Sequence, residues 1–257
     1  MELGLTVGDS IDRLEATADR FDFVEFGLTE SADVPDSIDV ERLQGSLDDV
    51  DLAFDVHLPY KQVVATSVPE INEAIVAYQR RLLEWASQLG ARKAVLHGTV
   101  RDPHDTDLRL TAATQLSKIV EAGDEHGVEV VVENVGHQPQ GLQLTVLGDI
   151  AAEIDAPVCF DVGHAYMEDG NDGVERFAKR YGDLVSHLHV HDVRGRGDTH
   201  MPIGAGEIDY GIVSEYFDAF DGTVAVEVFT DDATLLRDTA SRAAACLGTE
   251  FDPETTC

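Results

Sequence analysis

The sequence predicts a single α/β domain closed into a (β/α)8 barrel. Eight short apolar runs alternate with amphipathic stretches from one end of the chain to the other, and regular βα alternation implies parallel strands joined by right-handed crossovers. The 257 residues match the roughly 250 that such a barrel uses. No GxGxxG or GxxxxGK[ST] loop is present to support an open, doubly wound sheet.

The strands are expected, in order, at LGLTV (3–7), FVEFGL (23–28), AFDVHL (53–58), KAVLHG (93–98), EVVVENV (129–135), VCFDVGH (158–164), HLHVHD (187–192) and TVAVEVF (223–229). Helical periodicity lies between them at 11–21, 68–89, 108–125, 144–154, 174–181, 210–220 and 234–247, with a weaker helix at 40–47. A loop is expected over 29–39. Residues 1–248 form the barrel, and 249–257 form an acidic tail.

Side chains on a barrel strand alternate between the outer helices and the interior, so the parity of each run assigns faces. Val224, Val226 and Val228 suit helix packing, which places Ala225 and Glu227 inside. By the same rule Val131 and Glu133, Cys159 and Asp161, Asp55 and His57, and Val95 and His97 face inward, as do His187, His189 and His191. Six consecutive strands thus end with an inward His, Asp or Glu. One such residue is ordinarily a hydrogen-bonded core group. Six together exceed what a narrow apolar barrel compensates, and a divalent cation is the simplest compensation. Barrel enzymes also place their chemistry at these strand ends. Beyond the strands, His164 follows Asp161 by three residues, and Asp198 and His200 lie two apart, spacings that suit metal ligands. Gly163, Gly204 and Gly206 let the backbone turn close to the site. His104, His126 and His137 are expected to be solvated, His187 a core histidine, and Asp192 a capping acid.

Eighteen Lys and Arg against 50 Asp and Glu leave a formal charge of -32, with 30 Asp to 20 Glu and 4 Lys to 14 Arg. That balance disfavours a broad basic face for nucleic acid and repels anionic lipid. The Asp excess with scarce Lys suits a protein of a high-salt cell, where screening is strong. No apolar run approaches the roughly 20 residues of a membrane helix, and the start MELGLTVGDS lacks signal-peptide character. A cytoplasmic location is expected. Cys159, Cys246 and Cys257 are widely spaced, without a C-x-x-C pair, and are expected to be two buried small hydrophobes and a terminal thiol.

The motifs H-L-P-Y (57–60), L-H-G-T (96–99), V-E-N-V-G (132–136), F-D-V-G-H-A (160–165), H-V-H-D (189–192), D-T-H-M-P-I-G-A-G-E-I-D (198–209) and V-E-V-F (226–229) resemble the xylose-isomerase-like TIM-barrel superfamily. The resemblance runs from strand three to strand eight. That superfamily holds sugar isomerases and epimerases together with the endonuclease IV group. In the isomerase branch the resemblance implies a divalent-metal-dependent isomerase or epimerase of a small sugar or sugar phosphate. One Mn, Mg, Co or Zn ion held by Glu133, Asp161, His189 and Glu227 stabilises an enediolate, Glu133 and Glu227 are the acid/base pair, and His164 with Arg194 or Arg196 steadies the substrate. In the endonuclease branch it implies a phosphodiesterase with three zinc ions. His57 and His97 join Glu133 at the first, Glu133, Asp161, His189 and Glu227 make the second, and His164, Asp198 and His200 the third. Tyr60 also fits that branch. The first two βα loops, VGDS and TESADVPDSID, are acidic where the endonucleases grip DNA. Ketose 3-epimerases carry a second Glu soon after the strand-five Glu, and residues 136–141 contain none. The isomerase reading is taken as primary, with the zinc phosphodiesterase as alternative.

Overall fold

A computed structural model describes residues 1–18, 20–31, 37–50, 52–195, 197–218, 220–248 and 251. Its barrel strands are β1 (Glu2–Gly8), β2 (Phe23–Gly27), β3 (Ala53–His57), β4 (Lys93–His97), β5 (Glu129–Glu133), β6 (Val158–Asp161), β7 (Val185–Val190) and β10 (Thr223–Val226). They pair in parallel and close in the order β1-β10-β7-β6-β5-β4-β3-β2. The remaining pair, β8 (Asp192–Arg194) and β9 (Gly197–Met201), makes an antiparallel hairpin above β7. The helices are α1 (Ile11–Thr17), α2 (Val40–Asp48), α3 (Pro69–Gln88), α4 (Thr106–His126), α5 (Leu144–Ile154), α6 (Val162–Tyr181), α7 (Tyr210–Tyr216) and α8 (Ala233–Cys246). No helix among the described residues is long and apolar enough to cross a membrane.

The abundant Asp has a local use. Asp39, Asp105, Asp161, Asp209 and Asp232 are N-caps whose carboxylates accept backbone N–H bonds of α2, α4, α6, α7 and α8, satisfying orphan donors and meeting the positive end of the helix dipole. At the other end of α4, Gly127 takes φ 71°, the left-handed conformation that stops a helix.

Face assignment by parity is visible in the packing. Val130, Val132, Val224 and Val226 belong to the large core between strands and helices, with Leu116, Ile119, Leu236 and Ala240. Val95, Val131 and Cys159 form a separate small cluster inside the barrel. Phe160 stacks on Phe177 of α6 at 4.8 Å between ring centroids. Side chains of this size contribute roughly 1.5–3 kcal/mol each by leaving water. The lower interior is polar: Lys93 pairs with Glu129 at 2.6 Å, and fully buried Asp55 lies 3.4 Å from Arg92. Asp55 therefore faces inward but belongs to the bottom layer, away from the strand ends.

All barrel strands but β1 end earlier than expected, and at β6 and β10 this moves a candidate ligand off the strand. β6 stops at Asp161 because its carboxylate caps α6, so His164 lies in the first turn of that helix and not in a loop. α6 also begins twelve residues before the expected 174. It is broken at Asp169 and Gly170 (φ 66°), which hides the first half of its periodicity. β10 ends at Val226, leaving Glu227 one residue past it. α1 and α7 end short of the expected 21 and 220. Most of the expected 249–257 tail lies outside the described residues. Phe251 packs against Phe21 at 5.7 Å.

Candidate metal centre

At the C-terminal end of the barrel the nine candidate ligands come together, with the imidazoles of His57, His97, His164 and His189 around the Glu133 carboxylate. Its Oε2 lies 3.2 Å from His57 Nε2 and 3.1 Å from His97 Nε2, and its Oε1 lies 2.9 Å from His164 Nδ1. The adjacency follows from register, since His97 pairs with Glu133 and Asp161 with His189. His189 Nδ1 then lies 3.2 Å from Glu227 Oε2, 3.7 Å from Glu133 Oε1 and 3.8 Å from Asp161 Oδ2. Across the mouth, Asp198 Oδ1 sits 3.0 Å from His200 Nε2 and its Oδ2 3.6 Å from His164 Nε2.

The donor set fits divalent metal. Ligand atoms of Asp161, His189 and Glu227, of Glu133, Asp161 and His164, of His57, His97 and Glu133, and of His164, His191, Asp198 and His200 form four overlapping groups, each spanning no more than 4.8 Å. His189 Nδ1 and Glu227 Oε2 are close, yet both are buried and neither makes a hydrogen bond. Buried polar atoms that converge without bonding one another are a place that a cation could compensate. His164 Nε2 and His191 Nδ1 are likewise buried without partners.

Charge is balanced here by protons. Burial alone would raise the Glu133 and Asp161 carboxyls, but the imidazoles around them, His97 and His164 foremost, hold both well below the usual carboxylate range. Burial would push His164 and His189 down. Asp161 beside His164, and the carboxylates Glu25 and Glu227 beside His189, carry both well above the usual range. His200 is lifted to about 9 by Glu227 and Asp198 against the same burial effect. Its Nδ1 donates to the Glu227 carbonyl at 3.0 Å. It also takes φ 42°, a strained conformation for a residue other than glycine.

Three residues escape assignment from the sequence. His191, inward-facing by parity, is fully buried with Nε2 3.2 Å from both Asp161 oxygens, and it joins the His164, Asp198 and His200 group. Glu25 on β2 touches His189, and the parity that singles out Glu133 points to it equally. His137, expected in solvent, instead has its ring 4.3 Å from that of His164; burial and the neighbouring His164 charge lower it to about 4. It sits on an aperiodic loop, where no spacing signal exists. Arg194 is not brought to the site: its side chain is exposed and donates to the Ala205 carbonyl at 2.9 Å. Arg196 lies outside the described residues. Asp192 caps the following loop, accepting from the N–H groups of Val193, Gly204, Gly206 and Ile208.

Above the ligands opens a cavity of about 400 Å³, bordered by Asp9, Thr29, Tyr60, Gln138 and Phe229 as well as by His57, His97, His164, Asp198, His200 and Glu227. No described Lys or Arg lines it.

Residues 14–247 match the family described as xylose isomerase-like TIM barrel. The chain belongs to that family. The uncharacterized protein MJ1614 of Methanocaldococcus jannaschii is 27% identical over 203 residues, covering 77% of this chain and 78% of its own length. A probable endonuclease 4 of Bacillus licheniformis is 30% identical over 179 residues, covering 60% of this chain and 58% of that protein. Among solved structures, a D-tagatose 3-epimerase-like protein superposes with a TM-score of 0.75 at 22% identity, covering 92% of this chain and 94% of the other. That likeness carries the fold. The TTHB071 protein of Thermus thermophilus, from a crystal soaked with ZnCl2, superposes with a TM-score of 0.69 at 25% identity, covering 95% of this chain and 99% of the other.

Proposed function

We propose that this protein is a divalent-metal-dependent isomerase or epimerase of a small, uncharged sugar. The observation that carries this reading is the Glu133, Asp161, His189 and Glu227 set, which reaches through Glu227 a cavity of about 400 Å³ with no described cationic side chain on its walls. A phosphate would call for an arginine or lysine. The hydroxyls of a monosaccharide instead suit Thr29, Gln138 and Asp9, and its apolar C–H faces suit Tyr60 and Phe229.

Glu133, Asp161, His189 and Glu227 would hold the metal. A divalent ion supplies positive charge that stabilises the oxyanion developing as a proton leaves the carbon of an α-hydroxycarbonyl. Glu227, which also lines the cavity, takes that carbon-bound proton. Glu133, on the other side of the ring of strands, is the partner that returns one, with His164 Nδ1 2.9 Å away to resupply it. Asn134 holds the frame: its side chain bonds both the N–H and the carbonyl of Asp161 at 2.8 and 2.9 Å.

A second reading, metal-assisted phosphodiester hydrolysis, is favoured by one feature. The two Glu133 oxygens serve different neighbours, His57 and His97 on one and His164 on the other, as in a carboxylate bridging two ions. The relative named as probable endonuclease 4 supports it. Metal analysis of protein purified without a metal-capturing tag, together with two assays in molar KCl, separates the readings. About one ion per chain and exchange of a ketose C–H for deuterium in D2O support the isomerase. Two or three zinc ions per chain and incision of a duplex carrying an abasic site would replace it with the hydrolase.

A further inference from the structure

We propose that Glu25 is the positioning residue of the metal centre, a buried carboxylate beneath the site that fixes the His189 ring with Nδ1 presented to the ion. This rests on His189 being a ligand, as in the proposed function. The reasoning begins with where β2 places Glu25. Val24 and Phe26 pack outward in the main core, so Glu25 points into the barrel, where it is fully buried. Its Oε1 accepts from Thr6 Oγ1 at 3.2 Å, and its Oε2 lies 3.0 Å from His189 Nε2 and 3.3 Å from His187 Nε2.

An ionised carboxylate only accepts hydrogen bonds. The nitrogen bonded to it, His189 Nε2, therefore carries a proton. In the neutral, ligating form of the ring, Nδ1 must then be the bare nitrogen. Nδ1 is the atom that faces Glu227, Glu133 and Asp161. Those neighbours are also electron-pair donors, so none of them selects this tautomer without a cation. Glu25 selects it from the opposite edge of the ring, and its negative charge makes Nδ1 a stronger donor. Thr6 in turn holds the carboxylate, and the His187 ring packs beside it, braced by Thr223, whose Oγ1 lies 2.7 Å from its Nδ1. The arrangement runs from β1 and β2 across the barrel to β7. The first two strands, which carry none of the nine ligands, thus take part in building the site.

Substitution at Glu25 separates positioning from folding. Glu25→Gln keeps the shape, removes the charge, and adds an amide N–H₂ that can donate to His189 Nε2 and favour the opposite tautomer. Calorimetric titration of metal-stripped protein with MnCl2 and with ZnCl2 is expected to show affinity at the Glu227-containing site about 10- to 100-fold weaker, the range for loss of such outer partners. Glu25→Asp should recover part of that loss. In zinc-loaded protein labelled with 15N-histidine, the His189 Nε2–H proton should resonate strongly downfield in the wild type and move upfield in Glu25→Gln. If Glu25→Gln does not fold, Thr6→Val tests the same relay from its far end, and a several-fold weakening of affinity is expected.

A folded Glu25→Gln protein, or in its place Thr6→Val, that binds both ions within twofold of the wild type with an unmoved His189 signal overturns the proposal, whatever happens to its melting temperature. Failure of the underlying site looks different. There, wild-type protein and a His189→Ala variant would take up the same number of ions with equal affinity, which overturns the four-residue site and this proposal together.

Discussion

Gly163→Ala sets two physical effects against each other in one methyl group. Gly163 is the second residue of α6, and in a helix Ala is favoured over Gly by about 1 kcal/mol. Propensity alone therefore predicts stabilisation. The surroundings predict the reverse, because a Cβ at Gly163 would press on Cε1 of His191 and lie 2.5 Å from its Nε2. Ordinary carbon contacts lie near about 3.5–4 Å, so the ring must retreat by about 1 Å or more. It has little freedom to do so. The ring is fully buried, its Nε2 contacts both Asp161 oxygens at 3.2 Å, and it stacks on His200 at 4.3 Å between centroids. Its backbone is also pinned, with Tyr210 donating to the His191 carbonyl at 2.7 Å.

Overpacking costs about 1–3 kcal/mol, and a fully buried ring held at Nε2 and by stacking falls in the upper part of that range, about 2–3 kcal/mol, which outweighs the propensity gain of about 1 kcal/mol. A net loss of about 1–2 kcal/mol is expected, or about 2–8 °C in melting temperature for a domain of this size. Scanning calorimetry of metal-free protein at fixed molar KCl measures it. Zinc titration of the same variant should show weakened binding at the His164, His191, Asp198 and His200 group, with the site floored by Glu227 less affected. A Gly163→Ala protein that melts at or above the wild type would refute the close contact and the role of Gly163 in seating His191.

Glu133→Gln should abolish turnover and reduce bound metal, because that carboxylate touches three imidazoles and belongs to both functional readings; a folded variant with most of the wild-type rate would sink the site assignment. Asp192→Ala leaves four backbone N–H groups of the 193–208 segment without their acceptor, of which the buried Val193 N–H alone costs about 1–3 kcal/mol when unsatisfied. Limited proteolysis should then cut this segment in the variant before any other. Thermal melts in rising KCl should climb steeply, since self-repulsion among 32 net negative charges is screened only as the Debye length approaches about 3 Å near 1 M salt; a flat midpoint would contradict the high-salt reading. Metal binding should release protons and tighten as pH rises. His164 and His189 are held above their usual range in the metal-free site, and a ligating nitrogen must lose its proton. Calorimetry in two buffers of different ionisation enthalpy measures that release, and uptake with no release would contradict protonated ligands.

Legibility in the sequence follows periodicity. Val131 separates from Val130 and Val132 because strands alternate strictly, and the same rule finds His57, His97, Glu133, Asp161, His189 and Glu227. Glu25 obeys it too, but it gains weight only once β2 faces β7 across the barrel, a closure that no local pattern encodes. The periodicity of α5 matches its observed bounds, Leu144–Ile154, since nothing interrupts it. Only the second half of α6 is legible, because the kink at Asp169 and Gly170 resets the helical phase. The β8 and β9 hairpin is too short for period-two patterning, and His137 sits in a loop whose path depends on tertiary contacts. Arg194 has a suitable position in sequence, but the hairpin turns its guanidinium toward Ala205.

The interior shows how strand order becomes chemistry. Val95, Val131 and Cys159 close one side of the barrel with small apolar groups, while Thr6, Glu25 and His187 make the other side polar. A wholly apolar filling would serve stability better, because buried ion pairs seldom outperform hydrophobic packing of the same volume. The carboxylates of Glu25, Glu133, Asp161 and Glu227 are instead held within one or two side chains of each other at the end of the barrel where strands deliver their last residues. In the metal-free protein their charge is met by protons on imidazoles. Those protons sit on nitrogens that also have ligand geometry, so under the proposed function a divalent ion would take their place. The strained φ of His200 and the unpartnered atoms of His189 and Glu227 fit the proposed function, in which these donors would meet a cation and the barrel strands beneath would hold them in place.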